Sequence, residues 1–534
     1  MKKNNRRRTL GFILTIVLLV SMGSIYYLKK KDSNPYIRRE VNANDEIYGN
    51  GVSTSNYLAT EVGMKILESG GNAVDAAIAI AYTLGVVEPY GSGIGGGGGM
   101  LIYDSTTNKS DFFNYRDSAP LSSDIKLSNI GVPGFVRGLE EIGKTYGTKN
   151  MQDLIAPSID YAENGFEVYE DLADRISKDD IYLRNNKAYV KNGKILKEGD
   201  LLVQNELAET LRYIQENGAN GFYQGAIGQA ISKNTNLKAT DLINYKVDRL
   251  SPVTGEFMDY DVISAPPPYS GITLIQMLKI AEKIGIKNPS TNPNEYLSQL
   301  SYITDITSAD RVINIGDPNF YGKNYDYLVT DEHVETIINN GVYEYEEDEE
   351  HESTTHFVVR DKNGMMVSCT NTLGNFYGCK ESVKGFYLNS TMANFSSSNT
   401  GINRYEPGKI PRNFTAPTII KKGNNYIMGI GSPGGNRIIK ILGPVIIDNM
   451  MMGTDLQEAV DKGRAIFENS KTIILEERRN VKSLVDTSTT DYFVIKKSTP
   501  SVFGSIQAVG YSKKRGMFGA TDNRRNGRFD YKWS

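Results

Sequence analysis

The sequence predicts an α/β protein in which a mainly helical first two-thirds precedes a β-rich last third. Apolar residues recur at helical spacing from Tyr57 to Glu68 and again from Ala73 to Leu84. The long stretch from Leu139 to Asn339 also has a mainly helical pattern. After residue 352 the pattern changes to short β-branched and aromatic runs, of which His356 to Arg360 is the first.

The N-terminal residues have a different composition from the rest. A basic cluster precedes an uncharged stretch from Leu10 to Leu28, and three lysines follow it. A helix of this length nearly spans the apolar core of a bilayer. We therefore expect residues 1–31 to be a signal anchor or a signal peptide and residues 32–50 to be a stalk. Either form places the remaining chain outside the cell, anchored to the membrane or released as a secreted or wall-associated protein.

Overall charge and residue counts exclude some classes of function. The net charge of −3 argues against a nucleic-acid-binding protein, which would carry a strong basic excess. The three histidines, His333, His351 and His356, have no spacing typical of a metal site, and we expect neither a metal nor a cofactor. The two cysteines, Cys369 and Cys379, either form a disulfide or remain two unpaired thiols.

A threonine pair lies on either side of a predicted hairpin turn. Asn363-Gly364 is a strong signal for a tight turn, and Thr354 and Thr372 are equidistant from Asn363 along the chain. The hairpin therefore places the two hydroxyls opposite each other, within one residue of register. An acidic run ends just before Ser353, and a threonine that begins a strand there suits self-cleavage: its hydroxyl attacks the Ser353 carbonyl, and the released amine then serves as its base. The alternative is two ordinary strand threonines.

Two glycine-rich segments are further candidates for binding sites. Gly431 to Arg437 follows an apolar strand, and the adjacent Gly434 and Gly435 expose backbone N–H groups that suit an oxyanion hole. The alternative is a simple strand-to-helix turn. Gly91 to Gly99 contains the spacing of a dinucleotide-binding fingerprint, but it precedes a strand instead of following one, so the nucleotide interpretation fails.

Five motifs together resemble those of the γ-glutamyltransferase family of N-terminal nucleophile hydrolases. They occur in the family's order, from about residue 50 to the C-terminal third. The motifs are Gly70–Ala77, Leu84–Pro89 with the following glycines, Tyr115–Pro120, Thr354–His356 and Ser432–Gly435.

The resemblance implies a four-layer αββα sandwich formed by two chains from one precursor. Cleavage between Ser353 and Thr354 would give a mainly helical large chain, 51–353, and a β-rich catalytic small chain, 354–534. The resemblance also implies roles for individual residues. These are Thr354 as nucleophile, Thr372 as its hydrogen-bond partner, Gly434 and Gly435 as oxyanion donors, and Arg116 as the partner of the substrate α-carboxylate.

The sequence departs from the glutathione enzymes of the family in the donor site. Gly374, Thr391 and Asn394 stand where those enzymes carry polar and acidic residues that hold the α-ammonium group. Asn413 and Phe414 replace a serine pair that helps to bind the α-carboxylate. A donor with an acylated α-nitrogen fits better, and every internal residue of poly-γ-glutamate has that form. The arginines that we expect to meet the polymer's carboxylates, unless they are ordinary surface charges, are Arg412, Arg437, Arg524, Arg525 and Arg528.

This pattern looks like the branch of the family that cleaves capsular poly-γ-glutamate at the cell surface and transfers fragments to water or to a cell-wall amine. Three alternatives remain. The first is a glutathione γ-glutamyltransferase or hydrolase. The second is a non-catalytic surface-binding protein with the same fold. The third is a β-lactam acylase, although no aryl pocket is evident in the sequence.

Overall fold

The computed structural model describes residues 49–322, 324–341, 345, 353–398, 400–469, 471–477 and 492–533. The predicted leader, nearly all of the stalk, most of the acidic run and His351 lie outside these ranges. Within these ranges, no helix is both long enough and apolar enough to cross a membrane.

Two antiparallel sheets form the centre of the protein. The first has the strand order β22-β1-β11-β12-β2-β3-β8, and the second has the order β21-β20-β16-β15-β10-β9. The strands are β1 Gly49–Thr54, β2 Gly97–Asp104, β3 Lys109–Tyr115, β4 Phe166–Glu167, β5 Val190–Lys191, β6 Lys194–Ile195, β7 Leu201–Leu202, β8 Asp248–Leu250, β9 Val253–Phe257, β10 Tyr260–Ser264, β11 Ser353–Arg360, β12 Met366–Gly374, β13 Ser382–Val383, β14 Phe386–Tyr387, β15 Thr418–Lys422, β16 Tyr426–Gly431, β17 Ala465–Asn469, β18 Thr472–Glu476, β19 Phe493–Lys497, β20 Gln507–Ser512, β21 Gly516–Thr521 and β22 Arg528–Trp533.

Helices cover the outer face of each sheet. The α-helices are Tyr57–Glu68, Ala73–Val87, Phe135–Tyr146, Met151–Asn164, Glu170–Lys178, Asp180–Leu183, Asn205–Tyr223, Ala226–Asn234, Ala239–Ile243, Gly271–Lys283, Pro293–Asn314, Pro318–Tyr321, Asp331–Asn340, Ile438–Met450 and Leu456–Asp461. Those up to Ile243 belong to the helical layer on the first sheet. Those from Gly271 onward belong to the layer on the second, apart from Pro318–Tyr321, which buries no residue.

Three apolar clusters hold the layers together. One joins the first helical layer to the first sheet, and a second joins the later helices to the second sheet. The third lies between the sheets and includes Leu101, Val358, Ile419 and Val509. These contacts confirm the predicted αββα sandwich, because each sheet buries one face against helices and the other against its partner sheet.

The helix Ala73–Val87 shows how sequence dictates this packing. Asn72 and Asp75 form a capping box that starts the helix. Every residue except Gly85 is buried, because the helix is apolar on nearly all sides and packs beneath the first sheet.

The hairpin β11–β12 has the predicted register. Thr355 pairs with Asn371, and the pairing shifts by one residue before it. This β-bulge leaves Thr354 facing Thr372 and Leu373 at the end of the hairpin. The two threonines therefore meet within the predicted one-residue error.

Candidate active site

Thr354 lies at the beginning of β11, with its hydroxyl against the peptide bond that precedes it. Its Oγ1 donates a hydrogen bond of 2.5 Å to the Ser353 carbonyl oxygen. The Thr372 hydroxyl donates to the same oxygen. Both threonines are buried. The predicted nucleophile and a second hydroxyl thus converge on one backbone carbonyl, and this arrangement polarises the Ser353–Thr354 peptide bond.

Backbone groups from the glycine-rich segment hold Ser353, the residue before Thr354. Ser353 Oγ donates to the carbonyls of Tyr90, at 2.7 Å, and Gly91, at 3.1 Å. Gly96 lies so close to the Thr372 carbonyl that a Cβ atom there would overlap it. The glycines therefore allow this segment to approach both strands of the hairpin. This close packing explains the glycine run without a bound nucleotide.

Arg525, close to the last strand of the chain, contacts the backbone of Thr354. Its Nη1 donates a 2.6 Å hydrogen bond to the Thr354 carbonyl oxygen, and a second nitrogen-to-oxygen distance of 3.9 Å links it to Glu88. Glu88 also accepts a 2.9 Å bond from the Ser55 hydroxyl. Burial raises the pKa of the Glu88 carboxyl to about 7, although Arg525 opposes this shift. The sequence suggested a polymer contact for Arg525, whereas the structure joins it to Thr354.

The segment after β16 has the backbone shape expected of an oxyanion hole. Gly434 has a φ of +141° and Gly435 a φ of +58°, a region that favours glycine. The Ser432 hydroxyl fixes the segment by accepting a 3.1 Å bond from the Ser505 N–H. Within the described residues, neither glycine N–H donates to a protein acceptor. Two adjacent N–H groups without a protein acceptor are what an oxyanion hole needs, which favours that interpretation over a plain turn.

His356 connects this segment to β11, the strand that begins with Ser353 and Thr354. A Cβ atom on Gly431 would overlap the His356 ring, so the imidazole lies directly against the backbone before the glycine pair. Its Nδ1 is 2.8 Å from the Thr370 hydroxyl. Burial lowers the pKa of His356 to about 3, so the ring is neutral at working pH and acts by packing.

Arg116, the predicted partner of the substrate α-carboxylate, is buried beside an acid. Its Nη1 donates to the Asp117 carboxylate at 2.7 Å, and the Thr391 hydroxyl donates to the same carboxylate oxygen at 2.7 Å. The structure therefore brings Arg116 and Thr391 together through Asp117. Sequence reasoning missed this acid, although it stands next to Arg116 within a recognised motif.

Two asparagines of the predicted donor site are buried with unused polar atoms. Asn394 Nδ2 donates to the Arg412 carbonyl at 3.4 Å, and Asn413 Oδ1 accepts from the Thr415 hydroxyl at 2.7 Å. Asn394 Oδ1 and Asn413 Nδ2 have no partner among the described residues. Gly374 has a φ of +92°, a backbone conformation that glycine adopts more easily than any other residue.

The predicted polymer-binding arginines divide into different environments. Arg412 Nη1 donates to the Val312 carbonyl at 2.7 Å, so its guanidinium binds the end of a helix. Arg524 lies in a buried ion-pair cluster with Glu476 and Asp522. Both guanidiniums are buried against the protein's own carbonyl or carboxylate groups, so their described contacts support a structural role. The buried Arg437 follows the oxyanion segment, and the exposed Arg528 pairs with Glu61 and Asp530.

The cysteines form no disulfide. Cys369 and Cys379, both described, are free, and the buried Cys369 Sγ is 3.2 Å from the Tyr115 hydroxyl. Of the two alternatives that the sequence left open, unpaired thiols are therefore correct. Burial raises the pKa of both thiols, so neither favours the reactive thiolate.

The αββα sandwich is the fold of the N-terminal nucleophile hydrolases. A cephalosporin acylase from Bacillus halodurans has the same fold, with a TM-score of 0.80 and 24% sequence identity over 93% of this chain and 98% of the acylase. The family model for gamma-glutamyltranspeptidase matches residues 59–530.

Sequence relatives agree with this family match. The chain is 42% identical to the capsule biosynthesis protein CapD proenzyme of Bacillus anthracis, over 98% of both chains. It is 32% identical to the glutathione hydrolase proenzyme of Bacillus subtilis, again over 98% of both. The chain therefore belongs to the gamma-glutamyltranspeptidase family, and it is an enzyme of the γ-glutamyl transferase and hydrolase class.

Proposed function

We propose that this chain cleaves itself between Ser353 and Thr354 and then uses Thr354 to cut poly-γ-glutamate. The observation that carries the proposal is the convergence of the Thr354 and Thr372 hydroxyls on the Ser353 carbonyl. The proenzyme names of the two sequence relatives support processing of this kind. The cut would separate a large chain ending at residue 353 from a small chain, 354–534.

Self-cleavage follows from the contacts around Ser353. Thr354 Oγ1 attacks the Ser353 carbonyl carbon, and the Thr372 hydroxyl stabilises the oxygen as it becomes negative. The C–N bond then breaks, the nitrogen takes up a proton, and an ester joins Ser353 to the threonine side chain. Water hydrolyses the ester, which leaves a carboxylate on Ser353 and both a hydroxyl and a free α-amine on Thr354.

The mature threonine carries its own base. Its α-amine has an unperturbed pKa near 7.7–8.0, so it accepts the hydroxyl proton near neutral pH while the oxygen attacks the donor's γ-carbonyl. The N–H groups of Gly434 and Gly435 bind the oxyanion. The amine then gives the proton to the leaving nitrogen. Water or an acceptor amine releases the γ-glutamyl group from the threonine and regenerates the enzyme.

The donor site favours a γ-glutamyl group whose α-nitrogen is already acylated. The charge of Asp117 is already paired with Arg116 and its carboxylate accepts from Thr391, while Asn394 is neutral, so the site offers no uncompensated negative charge to an ammonium group. An amide nitrogen has one N–H to donate, and the unpartnered Asn394 Oδ1 is a matching neutral acceptor. Arg116 would bind the α-carboxylate. The relative named for capsule biosynthesis supports a polymeric donor.

Location and acceptor complete the proposal. We expect the enzyme to act at the cell surface, anchored through Leu10 to Leu28 or released after removal of a signal peptide. A primary amine of the cell wall would then be within reach as an acceptor, and water would compete with it. Arg437, which follows the glycine pair, remains a candidate for a contact to the polymer's carboxylates.

The second candidate function is glutathione hydrolysis, favoured by the similarity to a glutathione hydrolase proenzyme. Purified enzyme should be assayed with poly-γ-glutamate and with glutathione at equal concentrations of γ-glutamyl bonds. We expect higher kcat/KM on the polymer and no turnover of either donor by Thr354→Ala. A clear preference for glutathione would overturn the assignment of the donor, and turnover by Thr354→Ala would overturn the assignment of the nucleophile.

A further inference from the structure

Asp117 is a buried carboxylate with a fixed orientation in the donor site. Its Oδ2 accepts from both Arg116 Nη1 and Thr391 Oγ1, each at 2.7 Å. The acid is fully buried, and its Oδ1 has no partner among the described residues. An acid buried to this degree is costly unless its partners hold it in place. Arg116 is the neighbour of Asp117 in the sequence, whereas Thr391 lies 274 positions away.

The same contacts determine how Arg116 faces a ligand. Asp117 occupies Nη1, while Nε is buried with no partner in the described part of the chain. The backbone of Arg116 is also fixed, because its N–H donates to Asn114 and its carbonyl accepts from the Tyr245 hydroxyl. A guanidinium binds a carboxylate best through two parallel N–H bonds, so the orientation of its plane decides how well it binds.

We infer that Asp117, held by Thr391, is a positioning residue that orients the Arg116 guanidinium for the α-carboxylate of the donor. The inference rests on the proposed donor site and gives Thr391 a purpose within it. The Thr391 hydroxyl binds the protein's own acid instead of the substrate's α-nitrogen.

The arrangement makes donor binding dependent on pH. Burial raises the pKa of Asp117 to about 6, while Arg116 and Thr391 act to lower it. Three buried tyrosines whose pKa values the Asp117 charge helps to raise, Tyr223, Tyr245 and Tyr269, stay neutral in this range and therefore do not oppose its titration. Above pH 6 the carboxylate is charged and holds Arg116. Below pH 6 it is protonated, and its ion pair with Arg116 is lost. The guanidinium is then less well oriented, so the KM of a carboxylate-bearing donor should rise as the pH falls.

A pair of small chromogenic donors isolates this effect. One is N-acetyl-γ-glutamyl-p-nitroanilide, and the other is 4-acetamidobutanoyl-p-nitroanilide, which lacks only the α-carboxylate. We expect Asp117→Asn to raise the KM for the first donor about tenfold while kcat changes less than about threefold, since hydrogen bonds to charged groups have this magnitude. The kcat/KM for the second donor should match that of the unmodified enzyme, and the pH dependence of KM below pH 7 should disappear.

Asp241→Asn is the matched control. Asp241 is also buried and accepts a 2.7 Å bond from a hydroxyl, that of Ser122, but it lies outside the donor site. We expect its kinetics to be unchanged with both donors. Equal losses on both donors in Asp117→Asn, or an unchanged KM for the carboxylate donor, would overturn the inference.

Thr391→Val tests the hydrogen bond from Thr391 to Asp117, even if Asp117→Asn fails to fold. Removing a hydroxyl that donates to the carboxylate should move the inflection in KM to higher pH, by about one unit. An unmoved inflection would overturn the inference. Arg116→Lys separates this result from the proposed function. If Arg116→Lys leaves the carboxylate donor unaffected, the donor site itself is wrong; if it weakens that donor and Asp117→Asn does not, only the role of Asp117 is wrong.

Discussion

Arg525 donates a hydrogen bond to the carbonyl oxygen of Thr354, across a sequence separation of 171 residues. The carbonyl belongs to the proposed nucleophile itself, so this bond fixes the backbone from which the hydroxyl projects. Glu88, which pairs with Arg525, ties the same contact to the segment before the glycine run. The buried Arg525, with Glu88 beside it, thus links the segment before β22 to the proposed cleavage site.

Arg525→Lys should therefore weaken catalysis without removing the charge. A lysine ammonium cannot reproduce the planar contacts of a guanidinium, so we expect kcat to fall about tenfold and self-cleavage to slow by a similar factor. Steady-state assays and gel time courses measure the two effects. Arg528→Lys is the control, because that arginine is exposed in surface ion pairs and should change neither rate. Full activity in Arg525→Lys would disprove the positioning role.

Thr372→Val should slow self-cleavage in particular. The Thr372 hydroxyl donates to the Ser353 carbonyl, and loss of one oxyanion donor typically costs about a hundredfold in rate. The readout is the half-life of the single chain after purification. Thr83→Val is a matched control, since the buried Thr83 hydroxyl bonds only within its own helix. Processing at the normal rate in Thr372→Val would contradict the proposed mechanism of cleavage.

Gly434→Ala should separate turnover from processing. A φ of +141° is strained for alanine, so the N–H groups of this segment would shift, and we expect kcat to fall at least about a hundredfold. Self-cleavage uses Thr372 instead, so it should continue within about threefold of the normal rate. If the variant stays a single chain, the segment acts on the scissile peptide bond and the assignment changes.

The stability of the protein should depend on His356 in acid. Burial lowers its pKa from 6.5 to about 3, so between these values the unfolded state binds more protons than the folded state. Stability from this group is complete above pH 6.5 and falls by about 1.4 kcal/mol per unit as the pH decreases. Glu88 and Asp117, whose pKa values burial raises, act in the opposite direction over this range, so the total slope does not isolate the imidazole. Urea unfolding of the single-chain Thr354→Ala protein should instead show, between pH 6.5 and 5, a stability that falls more steeply with decreasing pH than in the same protein carrying His356→Asn, by up to about 1.4 kcal/mol per unit. Equal slopes in the two proteins would show that the imidazole is not buried in its neutral form.

Local patterns explain what the sequence could predict. The β11–β12 hairpin depends on a turn next to its own strands, so counting from Asn363 placed Thr354 opposite Thr372 within one residue. The helix Ala73–Val87 begins at the asparagine that caps it. The αββα architecture was implied by the resemblance to the family, and the burial of both faces of each sheet confirms it.

Contacts between distant residues explain what the sequence could not predict. The bond between Thr391 and Asp117 joins residues 274 positions apart, and no local pattern indicates it. Arg412 and Arg524 were candidates for polymer binding because charge is visible in a sequence and burial is not. Their carbonyl and carboxylate partners become adjacent only in the folded chain.

Mass spectrometry of the purified protein, with N-terminal sequencing of each fragment, tests the central claim most directly. We predict two chains that stay associated, the smaller of which begins with a free amine on Thr354 and carries the activity. A fully active protein that remains one uncut chain, or one whose only cut lies elsewhere than between Ser353 and Thr354, would contradict the claim.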